Sequence, residues 1–358
     1  RLSMTEKISR HLLNTVNTFS DEKIGVIVYL SRKNALNGFE IVKEYPFINA
    51  VGVKIAAHEL NRLASFKAVK FVTSSSKVFA LSGGDDENET SVFQNRFSMT
   101  GKGVGIAILD TGVSPHIDFC LPENRLSVFK DIVSGNPDFY DDNGHGTFVA
   151  GVAAGNGVTS AGEFSGVARR ASVIGVKVIG ADGEGSAFDV LDGMQWIVDN
   201  KDEIGVKVCC MSFGATPTDN SDPLRRGAEV LVREGITVVV ASGNEGINAL
   251  KTPAISPLVL SVGAIKNDDK VAEFTSRGLV FGRIKPEVYA RGVDVVSVAA
   301  NSTYRKMSGT SVSAPYVAGA CCLLLEKYPS APPWRIKEMI LSSSKVTPDG
   351  FFALNLNK

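Results

Sequence analysis

Three polar side chains, far apart along this chain, have the types needed to cleave an acyl bond together: Asp110, His145 and Ser311. A serine hydroxyl is a weak nucleophile until a neighbouring base takes its proton. A histidine base in turn needs a carboxylate to hold its tautomer and stabilise its cation. Ser311 lies in Gly309-Thr310-Ser311-Val312-Ser313-Ala314-Pro315, where a Gly-Thr turn feeds a run of small and apolar residues at 317–325. His145 lies in Asp142-Asn143-Gly144-His145-Gly146-Thr147-Phe148-Val149-Ala150-Gly151. The glycines there let backbone approach the imidazole, and the small residues that follow suit a buried helix. Asp110 closes the apolar run 104–109, ahead of Thr111-Gly112.

The elements that must hold these groups follow from the hydrophobic pattern. From about residue 100, strand-like apolar runs at 104–109, 172–178, 206–211, 237–240 and 258–262 alternate with helical stretches at 145–154, 187–200, 223–234 and 311–328. Such alternation predicts an α/β unit, a parallel sheet flanked by helices. The apolar runs are those of strands buried on both faces. Asp110 then stands at the carboxyl end of its strand, where ligands and reactive groups collect in open α/β sheets. Pro332-Pro333 ahead of 334–342 marks a last helix with proline at its start. The first 80 residues read as a separate small α+β unit, with strands at 23–30, 47–55 and 68–73, a helix at 36–45 and an amphipathic segment at 56–65.

With Ala241-Ser242-Gly243-Asn244-Glu245-Gly246 added, the segments around Asp110, His145 and Ser311 resemble those of the subtilisin-type serine proteases, the subtilases. The chain order Asp, His, Ser is that of subtilisin. The likeness runs from about residue 100 to the C-terminus. Tyr140-Asp141-Asp142-Asn143-Gly144-His145 and Ile174-Gly175-Val176-Lys177-Val178 are most similar to intracellular bacterial subtilases that carry their own propeptide. The resemblance implies a serine endopeptidase with a subtilisin-like fold. Ser311 would be the nucleophile, His145 the base and Asp110 its orienting carboxylate. The Asn244 side-chain amide and the Ser311 N–H would donate to the oxyanion. Phe148 stands where most relatives carry a second histidine, at a packing position.

The resemblance also implies a zymogen. Residues 1–81 would be a βαββαβ propeptide, acting as folding chaperone and tethered inhibitor. Residues 82–99 would be a polar linker and 100–358 the catalytic domain. Self-cleavage is expected between Leu81 and Ser82, with Val78 filling a pocket three residues upstream. An acid-selective pocket would instead favour Glu89 or another acidic linker residue.

An extended polypeptide is the implied substrate, and the chain's own propeptide the implied partner. Gly183-Glu184-Gly185 and Ser212-Phe213-Gly214 match edge segments that, in the family, sandwich a substrate strand through backbone hydrogen bonds. Ser212 and Gly214 with Ala241, Ser242 and Gly243 would wall the pocket for the residue before the cut. Lys251 aligns at the base of that pocket, where a cation would favour Glu or Asp; the alternative is a side chain pointing into solvent. An acid-selective pocket would suit a dedicated maturation protease, cutting a leader peptide or a spore-associated partner. Calcium is not expected at the family's usual strong site. Residues 155–163 lack the Asn-rich pattern, and Asp118, which matches one family ligand, cannot alone supply the roughly six to eight oxygens such a cation needs. No other metal or cofactor is expected.

Composition narrows the remaining classes. The 38 basic and 38 acidic residues leave no net charge, so binding to nucleic acid has no electrostatic support. No stretch approaches the roughly 18 consecutive apolar residues of a membrane helix. Cys120, Cys209, Cys210, Cys321 and Cys322 form an odd set with two adjacent pairs, a poor disulfide framework. Reduced packing thiols and a reducing compartment, the cytoplasm, are expected. The first residue is Arg1 rather than methionine, so removal of a signal peptide, and secretion, stay open. A monomer is expected, and His11, His58 and His116 are expected at the surface or in packing.

Overall fold

The computed structural model describes residues 5–16, 21–32, 36–81, 98–301 and 303–356. Most of the expected linker, with Ser82 and Glu89, lies outside the described residues. The N-terminal part forms a four-stranded antiparallel sheet from β1 (Lys23–Leu30), β2 (Ile41–Tyr45), β3 (Ala50–Ala56) and β4 (Val69–Ser74), in spatial order β2-β3-β1-β4. Helices α1 (Arg10–Thr15) and α2 (Leu60–Ser65) cover one face, burying Leu12, Leu60 and Leu63 against Val26, Val28, Val51 and Val53.

One local expectation is corrected here. Residues 36–45 do not form a helix; they end in strand β2, whose Ile41–Tyr45 pairs with β3. Ile41 and Val42 are β-branched and follow a turn at Gly38 (φ 84°). A sheet edge offering backbone partners therefore outweighs any helical spacing. Between residues 23 and 74 the described order is β-β-β-α-β rather than βαββαβ.

A separate strand, β5 (Lys77–Ala80), leads away from this unit. The larger part of the chain supplies β6 (Gly105–Asp110), β7 (Leu126–Asp131), β8 (Ser172–Lys177), the short β9 (Glu184–Ser186), β10 (Val206–Met211) and the two-residue β11 (Phe213–Gly214). Then come β12 (Thr237–Ala241), β13 (Leu260–Ile265), the hairpin β14 (Gly278–Val280) and β15 (Arg283–Lys285), and β16 (Val288–Arg291). A second hairpin, β17 (Val295–Val298) and β18 (Tyr304–Met307), precedes the terminal β19 (Lys345–Val346) and β20 (Phe352–Ala353). Nine of these strands form one sheet in the order β19-β20-β16-β13-β12-β10-β6-β8-β7, parallel except for the β19–β20 edge. After β6 the chain builds outward on one side through β7 and β8, then returns to the other side through β10. The carboxyl end of β6 is thus a topological switch point, where such sheets open a crevice.

Helices sit on both faces. The short α3 (Ile117–Cys120) follows β6. Helices α4 (His145–Ala154) and α7 (Thr310–Lys327) pack on one face with Ile106, Ile108, Val208, Val239 and Val262. Both carry small residues where they meet: a Cβ on Gly319 of α7 would lie 2.8 Å from the carbonyl oxygen of Ala153 in α4. Helices α5 (Ala187–Ile204) and α6 (Pro223–Arg233) cover the other face, and α8 (Pro333–Ser343) closes the fold. Ile27, Tyr29, Tyr45, Ile48 and Ala50 of the N-terminal unit join the core of α5 and α6.

Candidate active site

Asp110 is the last residue of β6, and His145 the first of α4. Their loops lie backbone against backbone, and this contact dictates local residue choice. A Cβ on Gly146 would sit 2.1 Å from the Gly112 carbonyl oxygen, and Gly112 itself has φ 125°. Only glycine fits at either position. With the loops so close, Asp110 Oδ1 lies 2.7 Å from His145 Nδ1, and both residues are buried. The Thr111 N–H also donates to Asp110 Oδ1 at 2.8 Å, holding the carboxylate still.

A buried polar network ties the loops together. Thr111 Oγ1 donates to Asp141 Oδ1 (2.9 Å) and accepts from Gly146 N (2.9 Å), while Asp141 Oδ2 accepts from Thr147 N and Oγ1. Lys177, 1% exposed at the end of β8, donates Nζ to the carbonyls of Thr111 (2.6 Å) and Ile179 (2.9 Å) and pairs with Asp142 (2.7 Å). In the sequence, Asp141 and Lys177 stood out only as parts of two likeness segments, with no role of their own. The available signal was a lysine closing an otherwise apolar strand, because a buried ammonium needs several oxygen partners.

Ser311 is the second residue of α7, and its hydroxyl donates to the carbonyl oxygen of Leu81. Asn244 Nδ2 donates to the same oxygen at 3.2 Å. The Asn244 amide cannot be turned over. Its Oδ1 accepts from Thr310 N (2.9 Å) and Thr310 Oγ1 (2.8 Å), so only the amine side faces Leu81. Thr310 Oγ1 also accepts from Gly243 N, which joins the Asn244 loop to the start of α7. In this structure the Ser311 hydroxyl addresses Leu81 rather than the imidazole. His145 Nε2 is buried without a hydrogen-bond partner. Asp110 with His145, and Ser311 with Asn244, thus form two pairs at one end of the sheet, held from opposite sides of β10.

Leu81 arrives as the end of an added strand. Strand β5 pairs antiparallel with β9 on one side (Val78 opposite Gly185, Phe79 opposite Glu184) and with β11 on the other (Ala80 opposite Phe213, Phe79 opposite Gly214). Ala80 N donates to Gly183 O at 3.0 Å, and Leu81 N to Ser212 O at 3.3 Å. Val78 and Leu81 are buried, while Phe79 is exposed. A Cβ on Gly214 would lie 2.6 Å from Lys251 Cβ and 3.4 Å from Leu81 Cδ1, and one on Gly243 would lie 2.8 Å from Lys251 Cγ. Gly214 therefore adjoins both the Leu81 side chain and the Lys251 stem, and Gly243 adjoins that stem. Ala241 ends β12, Ser242 accepts the Lys251 N–H through its carbonyl, and the Ser212 hydroxyl donates to Ser311 O. Lys251 does not point freely into solvent: its side chain is 12% exposed, and its ammonium pairs with Glu245 at 2.6 Å.

Two further groups are spoken for. Both oxygens of Asp118 are taken by protein donors: Oδ1 by Thr159 N and Oγ1, Oδ2 by the Tyr304 phenol. That carboxylate is not set out for a cation, and no group of three acidic, cysteine or histidine side chains suited to a metal occurs among the described residues. All five cysteines are free. Burial pushes the Cys210 thiol of β10 up to about 12, so it packs as a neutral group.

Comparison with known proteins agrees with this geometry. The profile described as the subtilase family matches residues 101–355. The serine protease AprX of Bacillus subtilis (strain 168) is 37% identical over 281 residues, covering 70% of this chain and 63% of that protein. An alkaline protease of Alkalihalobacillus alcalophilus is 31% identical over 295 residues, covering 81% of this chain and 73% of its own length. The crystal structure of a cold adapted subtilisin-like serine proteinase superposes with a TM-score of 0.64 at 26% identity, covering 77% of this chain and 95% of that one. No helix among the described residues is long and apolar enough to cross a membrane. A parallel sheet with its switch point at Asp110, a profile match across nearly the whole unit and these relatives lead to one assignment: the chain belongs to the subtilase family of serine proteases.

Proposed function

We propose that this chain is a subtilisin-like serine endopeptidase made as a precursor, which inhibits itself through residues 1–81 and cuts its own Leu81–Ser82 bond. The observation that carries this reading is the Leu81 carbonyl oxygen, which meets both the Ser311 hydroxyl and the Asn244 amide. Ser311 Oγ attacks the Leu81 carbonyl carbon, and His145 Nε2 takes the proton. Negative charge develops on the Leu81 oxygen, where the Asn244 amide, with the Ser311 N–H as second donor, stabilises it. His145 then gives its proton to the Ser82 nitrogen as the peptide bond breaks, leaving an ester between Leu81 and Ser311. Water, deprotonated by the same imidazole, hydrolyses that ester. Asp110 keeps the imidazole in the required tautomer throughout.

The strand register supports the inhibitor role. Residues 77–81 occupy the cleft between β9 and β11 as a substrate would. The N-terminal sheet is meanwhile held against α5 and α6, which keeps the cut end at high local concentration. N-terminal sequencing of the purified protein tests this reading. Mature enzyme should begin at Ser82, and the Ser311→Ala chain should stay intact; a mature start at Thr90 would overturn the Leu81 assignment.

Specificity follows from the Leu81 pocket. The Lys251 stem packs on Gly214 next to Leu81 while Glu245 neutralises its ammonium, which supports an apolar residue before the cut. Preference for an acidic residue, and with it the dedicated maturation protease, is the second reading, because displacing the exposed Glu245 would free the cation. Free thiols in all five cysteine positions support a reducing compartment.

A further inference from the structure

The N-terminal sheet is buried on both faces, and its strands alternate accordingly. Val26, Val28, Val51 and Val53 face α1 and α2, while Ile27, Tyr29 and Ala50 face α5 and α6. Gly25 and Gly52 share the parity of the second set: Ile27 stands opposite Gly52, two residues along β1 from Gly25. Glycine inside a strand is unfavourable, because it packs nothing and loses more backbone entropy on folding. Neither glycine has a positive φ that would demand it.

Space demands it instead. A Cβ on Gly52 would lie 2.9 Å from Cε1 of Phe188, and one on Gly25 would lie 3.2 Å from Cε2 of the same ring and 3.3 Å from Cβ of Ser75. Phe188 belongs to the first turn of α5 and is 9% exposed beneath the sheet. A weaker contact runs the other way. Gly227, inside α6, faces the Phe47 ring, with 3.3 Å from a built Cβ to Cζ, although Met194 of α5 is nearer still at 2.5 Å. Polar contacts fix the sheet over Phe188. Tyr45 Oη donates to Phe188 O (3.0 Å), Phe47 N to Gln195 Oε1 (3.0 Å) and Tyr29 Oη to Ser221 O (2.7 Å).

We propose that the Phe188 ring and the Gly25–Gly52 pair form a steric key, by which the α5–α6 face accepts its own N-terminal sheet and rejects one bearing a side chain at either position. The partner it fits is an antiparallel sheet with glycine on two neighbouring strands, either this domain in place or the same domain after release. The key rests on the reading of residues 1–81 as a docked inhibitor. It also accounts for Gly52, whose nearest neighbours all belong to the Phe188 ring, and, together with Ser75, for Gly25.

The test uses the full chain carrying Ser311→Ala, so that it stays uncut, and follows amide hydrogen exchange in β1, β3 and α5. Gly52→Leu should speed exchange across α5 by about tenfold to a hundredfold, the size expected for one overpacked side chain. Adding Phe188→Ala opens the space and should bring exchange back to within about threefold of Phe188→Ala alone. If Gly52→Leu changes nothing, or Phe188→Ala fails to relieve it, the key is wrong. The lighter Gly52→Ala, at a position facing away from the domain's internal core, should show the same order with smaller shifts; absence of that order would also overturn the key. A separate assay separates the underlying reading. If the uncut chain with Ser311 intact hydrolyses a short peptide as fast as processed enzyme while the exchange cycle behaves as stated, self-inhibition falls and the key stands.

Discussion

The N-terminal unit touches the rest of the molecule in two ways that differ in kind. Along β5 the strand pairing is main chain on both sides, to β9 and β11; Val78 and Leu81 are buried there, while Phe79 is left exposed. At α5 and α6 the contact is made by side chains: one ring over two glycines, tyrosine hydroxyls on carbonyls, and an ion pair between Lys43 and Asp192. Backbone pairing is indifferent to most side chains, which on the proposed function suits a cleft that takes in varied polypeptides. Side-chain fit discriminates, which suits a surface with one partner. On the proposed function, the segment that is cut and the surface that is recognised are thus separate.

Three changes break or sharpen that contrast, in falling order of effect. Asn244→Ala removes the amide donor at the end of the backbone-held strand. It should lower kcat by about 10²- to 10³-fold with little change in KM, a magnitude known from subtilisin rather than derived from this geometry. A large rise in KM instead would show that Asn244 holds the strand rather than the oxyanion. Glu245→Gln probes whether one cleft pocket is less tolerant than the backbone suggests. With Lys251 unpaired, cleavage after Glu relative to Leu should rise about threefold to fivefold in a peptide library, the scale of one partly exposed charge pair. An unchanged ratio would remove Lys251 from substrate selection.

The smallest effect concerns the α5–α6 face. Burial raises the carboxyl of Asp189, although the Ser186 hydroxyl and the nearby Lys43 and Lys54 oppose the rise. A carboxyl raised on folding binds a proton more readily folded than unfolded, so its charged form weakens the fold at neutral pH. That cost fades as pH falls through the raised value. Asp189→Asn in the Ser311→Ala chain should therefore raise Tm by about 2 °C at pH 7, with the gap closing on acidification. A gap that widens as pH falls would reverse the sign assigned to Asp189.

Much of the larger unit was legible because its signals are local. The helix expected at 145–154 is α4, and the strand at 206–211 is β10, to the residue. An apolar run of that length bounded by glycine or polar residues has few other ways to fold. The glycines flanking His145 were equally readable, since they answer a backbone contact within the same motif. Residues 36–45 were misread because their conformation is decided by pairing with β3, which the periodicity of 36–45 alone does not register. Asp118 presented itself as a lone carboxylate, while the phenol that occupies it comes from Tyr304, 186 positions away.

The amino-acid sequence by itself determined the chemistry on offer: a nucleophile, a base, a carboxylate and an amide, each in a short segment whose small residues admit only a few backbone shapes. The tertiary structure alone decided which of these meet, and which polar groups are already engaged. It set Leu81 against Ser311 and Asn244, and put Phe188 over Gly25 and Gly52. Such contacts join residues remote in the chain, and their geometry depends on how whole layers pack, so no local window of sequence contains them.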